Sequence, residues 1–237
     1  MQEALIIIPT YNEIENIEGI IDAIFSQYNE VHILVVDDNS PDLTSEKVES
    51  CQQKYPERLF LIKRIEKLGL GTAYIEGFKW SLSRYYEFIF EMDADFSHNP
   101  QDLKRLYLAC KEQGVDLAIG SRYIQGVNVV NWPLSRILLS YVASLYVRFI
   151  TGMKVLDPTA GFVCYRRTVL ETINLEEIKF VGYAFQIEMK YNTYKKKFNI
   201  KEIPIIFTDR LHGVSKLSKG IIKEAVFGVI QMRFKQF

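Results

Sequence analysis

The sequence predicts an α/β fold in which a mostly parallel, Rossmann-like sheet is flanked by helices. Apolar runs of strand length alternate with segments whose apolar residues keep helical spacing, and polar residues follow the end of each run. Such alternation requires parallel strands joined by right-handed helical crossovers. A chain of 237 residues suits one sizeable domain, and two would be cramped. We therefore expect a single domain over residues 1–237.

The predicted elements follow one another along the first half of the chain. Residues 4–8 form a β-branched run stopped by Pro9, which is typical of a buried central strand. Asn12 is a favourable N-cap for the next helix, with Glu15 at the third position of a capping box. Further strands are predicted at residues 31–36, 59–62 and 117–119 and in the run from Phe88, with helices around residues 48–55, up to residue 85 and from about 100 to 113.

Composition excludes several classes of protein. With 48% apolar and 24% charged residues, the chain is an ordinary globular protein. Its net charge of zero provides no global field for nucleic acid, so we expect no such partner. Cys51, Cys110 and Cys164 are odd in number and form no CxxC, so neither a disulfide framework nor a zinc site is indicated. The N-terminus opens directly on a strand, which argues against secretion and favours the cytosol.

The C-terminal part of the sequence is basic. From Lys195 onward, lysine and arginine clearly outnumber aspartate and glutamate. An anionic substrate or an anionic membrane surface would use such a region. An ordinary solvated helix face is the alternative.

Two aspartates stand at the end of the fourth strand. Asp93 and Asp95 are one residue apart, and the chain turns soon afterwards into a helix. Because side chains alternate along a strand, both carboxylates would share a face if the extended conformation lasted that far. Two hard oxygen donors with solvent access suit Mg²⁺ or Mn²⁺. The alternative is that they end the strand and cap the helix.

Polar clusters are expected to converge on one edge of the sheet. They follow strands at residues 11–13, 37–40, 93–97 and 121–123, and ligands of open parallel sheets bind beyond the carboxyl ends of the strands. Gly69 and Gly71 do not form a dinucleotide fingerprint, because the first strand is followed by no glycine and the pair lacks a third. We interpret them as a turn.

Motifs distributed over the whole chain resemble those of a known enzyme family. The segments PTYNE (9–13), DDNSPD (37–42), MDADFSH (92–98) and GSRY (120–123) resemble the inverting GT-A glycosyltransferases of family 2. Within that family, Trp132-Pro133 with Arg136 and Ser140, DPTAGF (157–162), GYAFQIE (182–188), Asp209-Arg210 and GVSK (213–216) are similar to the polyprenol-phosphate (dolichol-phosphate) mannose synthases. The similarity is to their short form, without a C-terminal transmembrane domain.

Small departures accompany the resemblance. Asn39 and Leu43 stand where glycine is common, and Ala160 stands where serine is common. Residues 183–188 do not carry the Thr-Glu-Asp segment that the processive polysaccharide synthases use as a catalytic base, which argues against that group.

The resemblance implies inverting transfer of mannose from GDP-mannose to a polyprenyl (dolichyl) phosphate by a GT-A fold. Residues 1–123 would bind the nucleotide sugar and the metal, and residues 124–237 the acceptor and the membrane interface. The nucleotide sugar would be held by Pro9, Tyr11, Glu13, Val36, Asp38, Asp93, Ala94 and Asp95, with Arg210 and Lys216 closing over it from a loop. The lipid phosphate would be held by Arg122, Arg136 and Ser140, and Mg²⁺ or Mn²⁺ by Asp93 and Asp95.

The implied reaction needs cations rather than a base. A phosphate monoester has a second pKa of about 6, so much of the acceptor is already a dianion at neutral pH. A carboxylate base would repel it, whereas a divalent ion on Asp95 can neutralise the diphosphate leaving group. Arg122, Arg210 and Lys216 would supply the remaining catalytic positive charge.

Two segments are predicted to form amphipathic helices at a membrane surface. Residues 134–150 are largely apolar, but Arg136, Ser140, Ser144 and Arg148 recur at every fourth position. The segment is shorter than the roughly 20 apolar residues of a span and carries two arginines, so an interfacial helix is expected, with a buried core helix as the alternative. The second helix would present Ile222, Ala225, Val226, Val229 and Ile230 on one face.

These helices predict a cytoplasmic protein bound peripherally to the cytoplasmic face of a membrane. Docking onto a small membrane subunit or a second copy of the chain would produce the same pattern. Two functional alternatives stay open: the same chemistry with UDP-glucose or UDP-N-acetylglucosamine as donor, and a non-catalytic nucleotide-sensing or membrane-scaffolding subunit. A Rossmann oxidoreductase is weakened by the missing glycine loop.

Overall fold

A computed structural model shows the predicted α/β architecture and describes residues 1, 3–210 and 219–234. The strands are β1 (Ala4–Thr10), β2 (His32–Asp37), β3 (Leu59–Lys63), β4 (Phe88–Glu91), β5 (Leu117–Ser121), β6 (Val129–Val130), β7 (Val163–Arg166), β8 (Ile200–Pro204) and β9 (Phe207–Thr208). The helices are α1 (Ile17–Gln27), α2 (Thr44–Lys54), α3 (Leu70–Leu82), α4 (Leu103–Glu112), α5 (Leu134–Thr151), α6 (Arg167–Thr172), α7 (Tyr183–Lys195) and α8 (Lys219–Phe234). Short 3₁₀ turns cover Pro100–Asp102 and Leu175–Glu177.

The central sheet of the described chain has seven strands in the order β3-β2-β1-β4-β7-β5-β8. β1 pairs in parallel with β2 and β4, and β5 pairs in parallel with β8. β7 runs antiparallel between β4 and β5. The prediction of a mostly parallel sheet is confirmed, and β1 to β5 are the strands that the sequence pattern identifies.

Apolar side chains of β1 pack on both faces of the sheet. Ile6 and Ile8 face the layer formed with α1 and α4, whereas Leu5 and Ile7 face the layer formed with α3 and α7. Burial on both faces explains why β1 is continuously apolar. A third cluster joins α7 to α5 and α8 through Val147, Ala184, Ile187, Tyr191, Val229 and Met232. α7 therefore lies between the sheet and the two helices that were predicted to meet a membrane.

The first helix begins later than predicted. α1 starts at Ile17 with Asn16 as its N-cap, so the capping box of Asn12 and Glu15 is wrong. Asn12 has a φ of 55°, and its backbone N–H donates to Oγ of Ser40 at 3.0 Å. Side chains of the neighbouring loop, residues 40–44, bind the backbone N–H groups of residues 12–14, so the helix cannot begin there.

The extended conformation ends before the two aspartates. β4 stops at Glu91 and the chain bends through residues 94–98, where Phe96 has a φ of 61°. Asp93 and Asp95 therefore do not share a strand face, contrary to the simplest expectation. The following helix is close to the predicted one: a 3₁₀ turn leads into α4, and Gly114, with a φ of 66°, follows its end.

The backbone conformation favours glycine at residue 69, and packing requires glycine at residue 71. Gly69 has a φ of 98° and is the N-cap of α3. A Cβ on Gly71 would lie 2.7 Å from the carbonyl oxygen of Phe180, and the N–H of Gly71 donates to the carbonyl of Val181 at 2.8 Å. The pair thus opens α3 and allows residues 180–181 to approach closely.

α5 turns an apolar face outward. Its buried residues are Ser144, Val147 and Thr151, so the alternative of a buried core helix is wrong. Among the described residues, α5 is the one helix with the length and composition to cross a membrane. Its exposed apolar side chains are Leu134, Leu138, Leu139, Tyr141, Val142, Leu145 and Phe149.

The apolar residues predicted to share one face of α8 divide between two environments. Val229 is buried together with Met232, whereas Val226 and Ile230 remain 41% and 39% exposed. The side chains of Ile222 and Ala225 lie outside the described part of the chain. One side of α8 therefore holds it to α5 and α7, and exposed apolar residues lie beside that contact.

Candidate active site

The loop after β4 holds the two aspartates in different surroundings. Asp95 is 4% exposed, and its carboxylate accepts the N–H of Ser97 at 3.1 Å and pairs with Arg210 at 3.0 Å. Asp93 keeps 39% of its side chain exposed, and its N–H donates to Nδ1 of His98 at 3.1 Å. Desolvation, followed by the negative charge of Asp95, raises the pKa of Asp93 to about 8. The raised pKa of Asp93 reflects the repulsion that arises when both carboxylates are ionised, and a further cation would favour ionisation of both.

This pair fits a magnesium or manganese ion whose coordination is completed by other oxygens. Over residues 1, 3–210 and 219–234, no group of three or more His, Cys, Asp and Glu side chains could hold a metal. Mg²⁺ is usually bound by one or two carboxylates together with waters and substrate phosphates. An ion at Asp93 and Asp95 would also relieve their mutual repulsion. The arrangement suits an ion shared with a diphosphate, not an enclosed protein cage.

Asp38, predicted to contact the nucleotide, holds the neighbouring loop. Its carboxylate accepts the N–H groups of Leu68 at 2.9 Å and Gly69 at 2.8 Å, and pairs with Arg64 at 2.8 Å. Residues 64–69 are thereby fixed beside the sheet edge. From this loop, Lys67 places Nζ 3.7 Å from the centre of the Tyr11 ring. Asp38 therefore fixes the position of the loop that contacts Tyr11.

The other predicted donor residues lie at the carboxyl ends of β1, β2 and β4. Glu13 is 8% exposed and accepts Nδ2 of Asn16 at 2.9 Å. Val36 and Ala94 are buried in the core and Pro9 is half-buried, so contacts from Val36 and Ala94 to a nucleotide would come from the backbone. These positions converge on one edge of the sheet, as the polar clusters predicted.

The backbone conformation at residues 39 and 43 explains why glycine is common at these two positions. Asn39 and Leu43 have φ values of 59° and 68°, a region in which glycine is favoured. The loop therefore keeps a left-handed backbone at both positions although neither residue is glycine.

Arg122 is buried against Asp157. Its Nε lies 2.7 Å and one terminal nitrogen 2.6 Å from the two carboxylate oxygens, and its backbone N–H donates to the same group at 3.0 Å. The terminal nitrogen also donates to Oγ1 of Thr159 at 2.8 Å. Although burial opposes it, the charge and hydrogen bonds of Arg122 hold the pKa of Asp157 below its usual value. Arg122, the predicted ligand of the lipid phosphate, therefore forms a bidentate ion pair with Asp157 and is only 8% exposed.

Arg136 and Ser140 lie more openly at the start of α5. Arg136 pairs with Asp209 at 2.8 Å, keeps 34% of its side chain exposed and stacks 4.1 Å from the centre of the Trp132 ring. Arg122 lies 5.5 Å from the same ring. The hydroxyl of Tyr123 donates to Oγ of Ser140 at 2.7 Å. Trp132 thus brings the two arginines together.

Two consecutive residues connect the aspartates with these cations. Arg210 pairs with Asp95, and Asp209 pairs with Arg136. In the same region, the N–H of Thr208 donates to the carbonyl of Ser97 at 3.4 Å. Asp95 and Arg136 therefore belong to one continuous row of alternating charges. Lys216, predicted to act with Arg210, lies outside the described residues.

The sequence pattern assigns no role to several residues of this site. Asp157 and Thr159 appear in the DPTAGF segment without an assigned role, and Trp132 without its place between two arginines. The signal for Asp157 is indirect: an arginine buried at a strand end requires a carboxylate partner.

Residues 5–173 match the protein family described as Glycosyl transferase family 2. The chain belongs to this family. The predicted membership is confirmed, and the match extends from β1 into the region after α6.

Relatives of this glycosyltransferase cover almost its whole length. The polyprenol monophosphomannose synthase of Mycolicibacterium smegmatis is 46% identical over 97% of this chain and 86% of its own. The undecaprenyl-phosphate mannosyltransferase of Micrococcus luteus is 44% identical over 95% of this chain and 91% of its own. The dolichol-phosphate mannosyltransferase of Pyrococcus furiosus is 38% identical over 92% of this chain, which spans 60% of that longer protein.

Solved glycosyltransferase structures share the fold. The glucosyl-3-phosphoglycerate synthase of Mycobacterium tuberculosis, bound to phosphoglyceric acid, has a TM-score of 0.72 at 17% identity, covering 97% of this chain and 79% of its own. The same enzyme with Mn²⁺, uridine diphosphate and phosphoglyceric acid has a TM-score of 0.73 at 16% identity, covering 99% of this chain and 79% of its own. This likeness confirms the predicted glycosyltransferase fold.

Proposed function

We propose that this glycosyltransferase transfers mannose from GDP-mannose to a polyprenyl phosphate, with inversion, to give polyprenyl phosphate mannose and GDP. The observation that carries the proposal is near full-length similarity to enzymes named for mannose transfer to polyprenol, undecaprenyl and dolichol phosphates. The charge pattern supports it, because the acidic loop is connected to Arg136 of α5 through Asp209 and Arg210.

The nucleotide sugar would lie along the carboxyl ends of β1 and β2. Tyr11 and Glu13 border this edge, and Asp38 fixes the adjoining loop. The diphosphate would extend toward Asp93 and Asp95, and Arg210 and Lys216 would bind it. A Mg²⁺ or Mn²⁺ ion at the two aspartates would neutralise charge on the departing diphosphate.

The acceptor phosphate would approach from the start of α5. Arg136 is the more open of the two arginines beside Trp132, and Ser140 follows one turn later on the same helix. Arg122 would supply positive charge from beneath, with its orientation fixed by Asp157. The site therefore gathers cations around two substrates that repel each other.

The transfer itself is a displacement at C1 of mannose. An acceptor phosphate oxygen forms the new bond to C1 while the bond from C1 to the diphosphate oxygen breaks, and its electron pair leaves with GDP. Because the acceptor phosphate arrives as an anion, no protein group has to remove a proton. The absence of a requirement for a base distinguishes this reaction from transfer to a sugar hydroxyl.

The outward apolar face of α5 supports binding to a membrane surface. A helix lying in the plane of the interface buries its apolar face near the headgroups. Since Arg136 and Ser140 are at the beginning of α5, such an arrangement would bring a lipid phosphate to them. We propose a peripheral position on the cytoplasmic face, where a small membrane subunit or a second copy would compete for the same surface.

Mass analysis of a reconstituted reaction tests the function. The protein is incubated with a polyprenyl phosphate, Mg²⁺ or Mn²⁺, and GDP-mannose, UDP-glucose or UDP-N-acetylglucosamine. We expect a mannosylated lipid phosphate with GDP-mannose and little product with the uridine donors. A product made preferentially from a uridine donor would reassign the sugar, and no product from any donor would refute the enzyme function.

A further inference from the structure

A buried polar triad of Glu91, Gln186 and Lys190 lies behind the site. All three side chains are at most 2% exposed. Gln186 and Lys190 are one turn apart on α7, and Glu91 ends β4. A lysine buried this completely is costly unless its ammonium group is fully bonded.

The triad has a defined direction of hydrogen bonding. Nε2 of Gln186 donates to the carboxylate of Glu91. Oε1 of the same amide accepts Nζ of Lys190 at 2.9 Å, and its backbone carbonyl accepts it at 3.2 Å. Glu91 and Lys190 therefore fix the two ends of the Gln186 amide, which in turn orients the ammonium group.

The third hydrogen bond of Lys190 is made to a residue outside the triad. Nζ donates to the carbonyl of Ala160 at 2.6 Å. Ala160 closes a turn, because its N–H donates to the carbonyl of Asp157 at 3.3 Å. Asp157 and Thr159, both partners of Arg122, lie within that turn. Lys190 thus bonds Ala160, the residue next to Thr159, and Thr159 bonds the Arg122 guanidinium.

The two ends of the turn are held by different residues. Glu202 accepts the N–H groups of Leu156 at 2.7 Å and Asp157 at 2.9 Å, which fixes its beginning. Lys190 fixes its end at Ala160. Loss of Lys190 would therefore leave Asp157 anchored while releasing residues 159 and 160.

We propose that Lys190 is a positioning residue for acceptor binding: by holding the carbonyl of Ala160, it sets where the adjoining Thr159 places the Arg122 guanidinium. The inference rests on the proposed function, because Arg122 is assigned to the acceptor side of that reaction. It differs from a general structural role, in which the loss of Lys190 would affect donor and acceptor alike.

Steady-state kinetics of Lys190→Met test this role. Methionine fills a similar volume without a donor, so Ala160 loses its partner. The KM for polyprenyl phosphate, at saturating GDP-mannose, should rise about tenfold, while the Kd of GDP measured by calorimetry with Mn²⁺ stays within about twofold of the wild-type value. Thr193→Val is the matched control, since Thr193 is also fully buried on α7 but bonds the carbonyl of Met189 in its own helix; it should change neither constant.

A second variant covers the case in which Lys190→Met does not fold. Lys190→Gln retains an amide donor that can still reach toward Ala160, and it should raise the acceptor KM in the same direction by a smaller factor. An unchanged acceptor KM in a folded variant, or an equal loss of GDP affinity, would overturn the inference while the proposed function stands. A wild-type protein that forms no mannosylated lipid would overturn both.

Discussion

The guanidinium of Arg210 lies 3.0 Å from the carboxylate of Asp95, the buried member of the acidic pair. An arginine therefore bonds a carboxylate that we assign to a divalent ion. Since the adjoining Asp209 pairs with Arg136, a change at Asp95 is connected through two neighbouring residues to Arg136 of α5.

Arg210→Gln should bind Mn²⁺ more tightly in the absence of donor. Removing the competing cation favours the metal by roughly two- to fivefold, the range expected for one partly exposed ion pair. Calorimetric titration of the nucleotide-free protein measures the change. Arg136→Gln, which removes a cation bonded to Asp209 instead, should leave Mn²⁺ affinity unaltered; equal tightening in both variants would contradict a direct competition at Asp95.

Asp157→Asn should lower the free energy of unfolding by about 3 kcal/mol or more. The substitution leaves the Arg122 guanidinium buried without its charged partner, which is strongly destabilising. Urea unfolding followed by circular dichroism measures the change. Asp209→Asn breaks a pair whose side chains are 34% and 29% exposed and should cost only about 0–1 kcal/mol. Similar losses at both positions would show that burial does not set the strength of these pairs.

Replacing Leu138, Val142 and Phe149 together by glutamine should weaken vesicle binding by more than about tenfold. These side chains lie on the outward face of α5 at 56%, 58% and 87% exposure, and each one buried in an apolar phase contributes about 1.5–3 kcal/mol. Co-sedimentation with anionic phospholipid vesicles measures the effect. Ile65→Gln with Tyr85→Gln removes exposed apolar side chains elsewhere; equal losses in both proteins would argue against a specific role for α5.

Gly71→Ala should destabilise the fold by about 1–3 kcal/mol, the usual cost of overpacking. Its Cβ would lie 2.7 Å from the carbonyl oxygen of Phe180, whereas a Cβ on Gly161 would come no nearer than 3.8 Å to another residue. Gly161→Ala should therefore stay within about 0.5 kcal/mol of wild type. Thermal unfolding of the two variants provides the comparison, and a wild-type melting temperature for Gly71→Ala would contradict the close approach.

The stability of the wild type should decrease on acidification partly through Glu3. The hydrogen bond from Lys111 is the main cause that lowers the pKa of Glu3 from 4.5 to about 2, so the folded state holds fewer protons than the unfolded state between those values. Glu3 therefore contributes stability above about pH 4.5, which is lost as the pH falls toward 2. Because the pair is 32% and 47% exposed, screening limits this contribution to about 1 kcal/mol.

Urea unfolding between pH 5 and pH 2.5 measures the contribution of Glu3 as a difference between variants. Glu3→Gln should be less stable than wild type at the upper end, and the difference should shrink as the pH falls. The exposed Glu112→Gln on α4 controls for the removal of one negative charge. A difference that grows as the pH falls would contradict a stabilising role for ionised Glu3.

The first half of the fold is predictable because its signals are local. Each of β1 to β5 is an apolar run bounded by polar or turn residues, and most of the intervening helices keep their spacing. Asn12 was assigned wrongly because side chains from residues 40–44, distant in sequence, bind the backbone where a cap would form. β7 is equally non-local, since its four residues join the sheet only by pairing with β4 and β5.

In the candidate site too, the residues that stand in local motifs were predictable, whereas their distant partners were not. The aspartates and arginines could be found as motifs, but their partners are 35 residues away for Arg122 with Asp157 and 73 for Arg136 with Asp209. No periodic pattern links such positions. The Glu91–Gln186–Lys190 triad had a weaker signal, because a carboxylate inside an otherwise apolar strand needs a buried partner.

The place of β7 in the sheet has a consequence for biosynthesis. β4 and β5 flank a strand that lies at Val163–Arg166, so a nascent chain cannot complete its central sheet until this late segment has left the ribosome. A fragment that ends at residue 123 would lack β7 and β8, so one edge of β4 and both edges of β5 would be open to other chains. We therefore expect the two halves of the molecule to mature together, in one late and cooperative step.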